Sequence, residues 1–302
     1  MSIRILSESI INRIAAGEVI ERPASAVKEL VENSIDAGAK NIEVYIEGGG
    51  KSLIRVKDDG FGMEREELRL AVKRHATSKL PNDDLFDINS FGFRGEALPS
   101  IASVSRTSIS SIRKGKDEGW RLDIDGGEEK EIEPSAISNG TVIEIRDLFY
   151  ATPARLKFLK TERAEKSRIS DMLKRIAMAN PNVSFKLEDE KRKVFDYKIH
   201  NNELLESGIS RLEEILGKEF AENSVAVEGE RNQASLRGYV SLPTYNKGTS
   251  ADQYLFVNNR PVRDKLLLGA IKGAYQDFLA RDRHPVVALF IDLPPNEVDV
   301  NV

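Results

Sequence analysis

From Pro23 to Gly38 the apolar positions recur with a helical period, and beyond Gly38 the period changes to two. In the first stretch Val27, Leu30, Val31, Ser34 and Ile35 follow i, i+3, i+4, i+7, i+8 spacing and form one packing stripe. Pro23 suits a first-turn position and Gly38 a stop, so a helix is predicted between them. Glu29, Asn33 and Asp36 are four and three residues apart and share its opposite face. In the second stretch Ile42, Val44 and Ile46 alternate with polar partners, Gly48 to Gly50 turn the chain, and SLIRVKDDGFG returns as a hairpin. Ile54, Val56 and Asp58 have one parity, which puts a carboxylate at the end of the apolar face of its strand.

Further along, FGFRGEALPSIASV sets Gly92 and Gly95 immediately before a helical apolar pattern. A helix is expected over about 161–179, stopped by Asn180-Pro181, with strands near 183–188 and 193–199 and a helix near 203–217. Residues 234–242 and 253–258 read as strands, 263–281 as a long amphipathic helix, and VVALFIDL (286–293) as a buried strand. The polar interruption His200-Asn201-Asn202 marks a domain boundary, giving domains 1–202 and 203–302. Trp120, Phe149, Tyr150 and Phe158 read as core rather than as stacking platforms.

Three segments carry candidate chemistry. Glu29 is an acceptor-only carboxylate one turn before Asn33: the first can take a proton from water, and the amide oxygen of the second is a hard ligand suited to Mg²⁺. The bland alternative is a solvated helix face. A carboxylate at Asp58 needs hydrogen-bond donors, and an adenine exocyclic amine is a natural one, although an Asp before a turn glycine is common. Gly60 and Gly62 let the backbone bend sharply or approach a ligand. Backbone N–H groups around Gly92, Phe93, Arg94 and Gly95, at a helix start, suit an anion, although the stretch taken alone reads equally as a glycine-rich loop with no ligand. Between them RHATSKLPNDDLF (74–86), basic at Arg74, His75 and Lys79 and broken by Pro81, has the composition of a mobile cover, although most such loops are merely solvated. Gly50-Lys51-Ser52 imitates the end of a P-loop, but Tyr45 occupies the position that pattern needs as glycine.

ELVENSIDAGAK, DDGFGM, RHATSK, FGFRGEALPSI and GTVIEIRDLFYATPARLKFL resemble the MutL family of mismatch-repair proteins, a branch of the GHKL ATPase superfamily, and the resemblance runs to residue 302. It implies an α+β fold: a Bergerat-type mixed sheet layered with helices, then a smaller βαβ-rich domain. By the same resemblance Glu29 is the general base, Asn33 the Mg²⁺ ligand beside Asp36, and Asp58 the adenine reader, with Gly60 and Gly62 next to the nucleotide. Thr77 and Lys79 are lid contacts, Gly92 to Gly95 the phosphate loop, and Thr141 a residue near the base and its bridging water. The expected activity is slow, switch-like hydrolysis of ATP to ADP and phosphate, with ATP and Mg²⁺ as ligands. ATP-driven pairing of two N-terminal domains through the arm 1–22 then makes a DNA clamp, working with a MutS-type recognition protein and a downstream nuclease or helicase.

Composition adds limits. The 302 residues are 40% hydrophobic and 31% charged, ordinary for a soluble protein of two domains. With no cysteine, thiolate chemistry and Cys-bound zinc are excluded, and His75, His200 and His284 lie far apart. No signal peptide or apolar run of membrane length is evident, so a cytoplasmic protein (nuclear in a eukaryote) with no membrane partner is expected. A net charge of −4 argues against a general polycation. Local patches point to DNA instead: residues 151–175 hold eight Lys or Arg against three Asp or Glu, and a second basic group surrounds residue 263. Arg155, Lys157, Lys160, Arg260, Arg263 and Lys265 are the candidate contacts, sequence-independent and salt-sensitive.

One departure concerns the family's second-domain Lys, which follows the VDVNV string and reaches the γ-phosphate. The chain ends at Val302, so it is expected to be a piece of a longer protein with impaired hydrolysis of its own. Two alternatives stay open: another GHKL enzyme such as a topoisomerase ATPase subunit, and a non-catalytic DNA-binding matchmaker with a vestigial pocket.

Overall fold

The structure is a computed structural model that describes residues 11, 16–17, 19–77, 95–199 and 204–294. It divides into two compact units, one of residues 1–173 with 183–198 and one of 174–182 with 199–302. The stretch 174–182, which the linear reading kept in the first domain, belongs to the second unit.

The first unit is built on helix α1 (Pro23–Asp36) and a mixed sheet. Its strands are β1 (Asn41–Glu47), β2 (Leu53–Asp58), β3 (Arg106–Ile112), β4 (Gly119–Asp125), β5 (Glu128–Glu129), β6 (Glu133–Ser135), β7 (Thr141–Arg146), β8 (Ser184–Asp189) and β9 (Lys193–Tyr197). Their order is β5-β4-β3-β7-β2-β1-β8-β9, with β6 beside β4; β1 and β8 run parallel and the other pairs antiparallel. Residues directly opposite in a ladder share a face. Ile42, Asp58, Thr141 and Ser111 therefore form one transverse row, followed by rows through Val44, Val56, Ile143 and Ile109 and through Ile46, Ile54, Ile145 and Thr107. All twelve are buried. The other face carries Arg55, Lys57, Glu144, Arg106, Arg121 and Asp123 and meets solvent, as one side of an antiparallel sheet commonly does.

Helix α1 covers the buried face. Val27 and Leu30, 0% and 1% exposed, each contribute about 1.5–3 kcal/mol by leaving water. The helix closes where Ala37 and Gly38 return N–H groups to the carbonyls of Asn33 and Ile35, and Gly38 accepts the left-handed φ of 72° that ends it. Among the described residues of this unit there follow α2 (Arg65–Ala71), whose Glu64 and Glu67 make a capping box, α3 (Ala97–Ser103), and the single turn α4 (Pro153–Leu156). Helix α5 (Glu162–Ala179) begins in the first unit and ends in the second. Near its start Lys166 pairs with the buried Asp189 at the end of β8.

The second unit places β10 (Ser224–Arg231), β11 (Ala234–Ser241), β13 (Gln253–Val257), β14 (Arg260–Val262) and β16 (Val287–Asp292) in the order β10-β11-β16-β13-β14. A short pair, β12 (Asn246–Lys247) and β15 (His284–Pro285), lies apart. Strands β13 and β16 are parallel and joined through α8 (Lys265–Ala274), the βαβ element of the expected class. Both faces of β13 are covered: Tyr254 and Phe256 pack with Leu212, Phe220 and Phe290, while Leu255 packs with Ile271 and Val287. That is why these strands read as continuous apolar runs. The helices on the Phe256 side are α6 (Leu204–Leu216) and α7 (Lys218–Glu222). From α6 the fully buried Arg211 donates to the carbonyls of Ala177, Asn180 and Pro181, capping the C-terminal end of α5.

The structure corrects two expectations. The helix expected over 263–281 stops at Ala274, because Gly273 weakens its last turn and the Tyr275 hydroxyl is drawn 2.5 Å from the Ser241 carbonyl. Phe158 is 81% exposed rather than core, since α4 is one turn long and leaves it beyond its end. Among the described residues no helix is long and apolar enough to cross a membrane.

Candidate active site

Asp58 ends β2 on the buried face and is 7% exposed. One carboxylate oxygen accepts the Ser34 hydroxyl of α1 at 2.8 Å, and the other accepts the Gly60 N–H at 2.9 Å. Burial pushes its pKa above the usual carboxylate range, with the Gly60, Ser34 and Thr141 hydrogen bonds opposing the rise. A carboxylate has about four lone-pair sites, so these donors leave capacity for a ligand amine. Its neighbour Asp59, of opposite parity, points away and accepts the N–H groups of Lys40 and Asn41 and the Asn41 side chain. Burial would raise Asp59 too, but these donors outweigh it and hold it below the usual range.

Opposite Asp58 in the ladder lies Thr141, 7% exposed, whose hydroxyl is 2.8 Å from that of Ser111. Ser111 also accepts the Met63 N–H at 2.8 Å, fastening the 59–63 turn to β3. Gly62 in that turn has φ 65°, and a Cβ there would sit 1.8 Å from the Ile112 carbonyl oxygen. A backbone neighbour therefore already requires this glycine, whatever lies on its other side.

On α1, Glu29, Asn33 and Asp36 are half-buried on the face away from Val27 and Leu30. Ser34, placed by its spacing in the apolar stripe, is buried with that stripe but serves as the Asp58 donor; Ile35 is only half-buried. Lys28 reaches both Glu29, at 3.3 Å, and the buried Glu32, at 3.0 Å. Burial lowers the Lys28 pKa, but Glu32 and Glu29 outweigh it and raise the net value, so Lys28 stays charged. Among the described residues no cluster of three or more His, Cys, Asp or Glu could hold a metal. A cation here would lean on the Asn33 amide oxygen, phosphate oxygens and water, which suits Mg²⁺.

Thr77 is exposed at the near edge of the cover segment, and Gly95 at its far edge leaves room for Ala76. The His75 imidazole lies 3.8 Å from Glu96, so the two edges meet. Lys79, Gly92, Phe93 and Arg94 lie outside the described residues, as do most of the arm 1–22, His200 and the terminal 295–302.

Of the candidate DNA contacts, Lys157, Lys160, Arg263 and Lys265 are exposed and Arg260 is half-buried. Arg155 is half-buried: its guanidinium donates to the Ile20 carbonyl at 3.0 Å, lies over Phe149, and fills the space a Cβ on Gly17 would need. It anchors the arm. Lys166, counted in the same basic stretch, is likewise committed to Asp189. A cavity of about 210 Å³ lies on the solvent face of the sheet among Arg106, Arg121, Arg146, Asp123, Asp125 and Glu144. These six charges pair with one another or with Asp147, Lys130 also lines the cavity, and its face is opposite to that of Asp58.

Comparison with known proteins defines the class. The family model described as histidine kinase-, DNA gyrase B- and HSP90-like ATPase matches residues 20–147, the stretch holding α1, Asp58 and Thr141. The unit is a GHKL-type ATPase domain. A second model, DNA mismatch repair protein, C-terminal domain, matches residues 212–302.

The chain is 57% identical over 302 residues to the DNA mismatch repair protein MutL of Paramagnetospirillum magneticum, covering 100% of this chain and 50% of that protein. It is 58% identical to that of Rhodospirillum rubrum, covering 100% and 48%. It thus spans about half the length of these curated relatives. Among solved structures, the Aquifex aeolicus MutL ATPase domain complexed with ADP matches with 33% identity and TM-score 0.70, over 92% of this chain and 94% of that one. The N-terminal domain of a DNA repair protein matches with 25% identity and TM-score 0.81, over 97% and 89%. The chain belongs to the MutL family.

Proposed function

We propose that this chain is the ATP-binding and ATP-hydrolysing region of a DNA mismatch-repair factor. The observation that carries the reading is the buried Asp58 carboxylate, fixed by Ser34 from the helix that also presents Glu29 and Asn33. Asp58 accepts the adenine amine, and Thr141 suits a water bridging to the same base. Asn33, beside Asp36, supplies an oxygen to Mg²⁺. When bound, that ion neutralises charge on the phosphate oxygens. Glu29 orients a water for in-line attack on the γ-phosphate and takes its proton, with positioning supplying most of the acceleration. Gly60 and Gly62 shape the wall beside the base, Thr77 and Lys79 close over it, and Gly92 to Gly95 cradle the phosphates. The Aquifex domain described with ADP supports a nucleotide as the ligand class.

Turnover is slow and switch-like. Bound ATP orders the cover and the arm so that two copies pair and enclose DNA in the cytoplasm or nucleoid. Lys157, Lys160, Arg263 and Lys265, with Arg260, meet the phosphate backbone without reading sequence. A MutS-type recognition protein acts upstream and a nuclease or helicase downstream.

The test is calorimetry and single-turnover hydrolysis on the full-length protein and its Glu29→Ala variant. Glu29→Ala should bind the Mg²⁺–ATP complex normally and not hydrolyse it; normal hydrolysis ends the role of Glu29, and no uptake of nucleotide by folded wild type ends the whole reading. DNA affinity should fall steeply between low and moderate salt. A flat salt response would remove the backbone-contact reading.

A further inference from the structure

We infer that Lys28 is a positioning residue for hydrolysis, holding the Glu29 carboxylate in one orientation while the buried Glu32 carboxylate anchors Lys28 itself. The inference rests on Glu29 being the group that activates water. Lys28 and Glu32 are four residues apart on α1 and so share a ridge, which accounts for their 3.0 Å contact. Lys28 and Glu29 are adjacent, and adjacent helix residues do not ordinarily face each other. The 3.3 Å contact between them therefore requires the lysine to lean across the helix surface.

Glu32 is 5% exposed, so the anchor end is fixed in the protein, whereas the Glu29 side chain is 28% exposed and needs a partner to fix it. An unrestrained glutamate loses rotamer freedom when it must aim at a water, and a standing ion pair removes that cost beforehand. The contact uses one oxygen of Glu29, Oε1, and leaves Oε2 to accept from water. One cation between two carboxylates also leaves the cluster with a net negative charge, so a proton acceptor survives the pairing.

The experiment measures nucleotide Kd, KM and kcat for full-length Lys28→Met, Lys28→Arg, Glu32→Gln and Glu29→Gln. Lys28→Met should lower kcat by roughly 10- to 100-fold, the range expected when a reacting group is misplaced by about 1 Å, with Kd within about twofold of wild type. Lys28→Arg should recover most of that loss, and Glu32→Gln, which frees the anchor, should lower kcat by a smaller factor at unchanged Kd. If Lys28→Met proves unfolded by circular dichroism, Glu32→Gln carries the decision through the same split. The inference is overturned if kcat stays within about twofold or rises in folded Lys28→Met or, where that variant does not fold, in Glu32→Gln, if Lys28→Arg recovers none of the loss, or if Kd worsens in step with kcat. Glu29→Gln separates the two levels: a fully active Glu29→Gln ends the role of Glu29 itself, while an inactive Glu29→Gln beside an unaffected Lys28→Met ends only that of Lys28.

Discussion

Replacing Asp58 by Asn should move stability and ligand affinity in opposite directions. Burial raises the pKa of Asp58 above 3.8, so the folded state prefers the protonated form. For such a carboxyl the folded state loses stability as pH rises through the raised value, and at neutral pH the ionised side chain is a net cost to folding. An amide of the same shape removes that cost and still accepts from Ser34 or Gly60, so the unliganded domain should melt no lower than wild type. Nucleotide binding should suffer, because a hydrogen bond to a charged group contributes about 1.5–3 kcal/mol, or roughly 10- to 150-fold in Kd. With nucleotide at about 100 times the wild-type Kd, wild type gains about 2.7 kcal/mol and a variant weakened about 100-fold gains about 0.4 kcal/mol. At about 2–4 °C per kcal/mol for a domain of this size, a nucleotide-induced rise of about 5–10 °C should shrink to about 1 °C. Melting curves with and without Mg²⁺ and a non-hydrolysable ATP analogue measure both effects. A variant that keeps the full nucleotide-induced rise would show that Asp58 does not read the base.

Ser34→Ala removes the donor 2.8 Å from Asp58 and should weaken nucleotide binding by about 1–2 kcal/mol in a titration, with smaller loss of fold stability than Leu30→Ala, which should cost about 2–5 kcal/mol. Gly17→Ala forces Arg155 off the Ile20 carbonyl, which should cost about 1 kcal/mol in urea unfolding. By the same geometry Arg155→Ala should leave DNA affinity unchanged in a filter-binding assay where Lys157→Ala lowers it. Burial opposes ionisation of Asp189, but Lys166 and the N–H groups of Arg192 and Lys191 hold its pKa at about 2 against an ordinary 3.8. That stability is present above 3.8 and lost as pH falls toward 2. Acid unfolding of Asp189→Asn should accordingly be flatter than wild type across that window.

Helix α1, the first hairpin and the parity of Asp58 were legible because each rests on a short local period. Strands β3, β4 and β7 were not read as strands. RTSISSI carries only two large apolar residues, Ile109 and Ile112, which differ in parity, and its register is set by the ladder with β7. GWRLDID and TVIEIR do alternate, through Trp120, Leu122 and Ile124 and through Ile143 and Ile145, and that period of two was an available signal left unused. Ser34 was read as a member of the buried stripe and is buried there, but its hydrogen bond was not foreseen, since spacing identifies the buried face but not which member of it makes a polar contact. A hydroxyl inside an otherwise apolar stripe was the available signal: a buried polar group needs a partner, and the partner found is Asp58. The partners of Arg155 and Lys166 were out of reach of the sequence for a complementary reason. Counting charges along 151–175 gives the field of a segment, whereas availability depends on partners at Ile20 and Asp189 that are remote in sequence.

The inward row at the end of the sheet shows where such a fold can carry a ligand site at tolerable cost. A buried polar group in the middle rows would displace Val44, Val56, Ile143 or Ile109 from the core. At the end row Asp58, Thr141 and Ser111 replace apolar contacts that the chain turns at Asp59 and Gly140 would interrupt in any case. Their desolvation is offset by donors from those turns and from α1: the Gly60 N–H, the Met63 N–H and the Ser34 hydroxyl. The helix then fixes a second distance. Ser34 and Glu29 are five residues apart, about 7.5 Å of axial rise, so the group that orients Asp58 and the group proposed to activate water are held apart by one rigid element. Because the buried stripe sets the rotation of that helix, packing at Val27 and Leu30 determines at once where Ser34 meets the sheet and where Glu29 and Asn33 face.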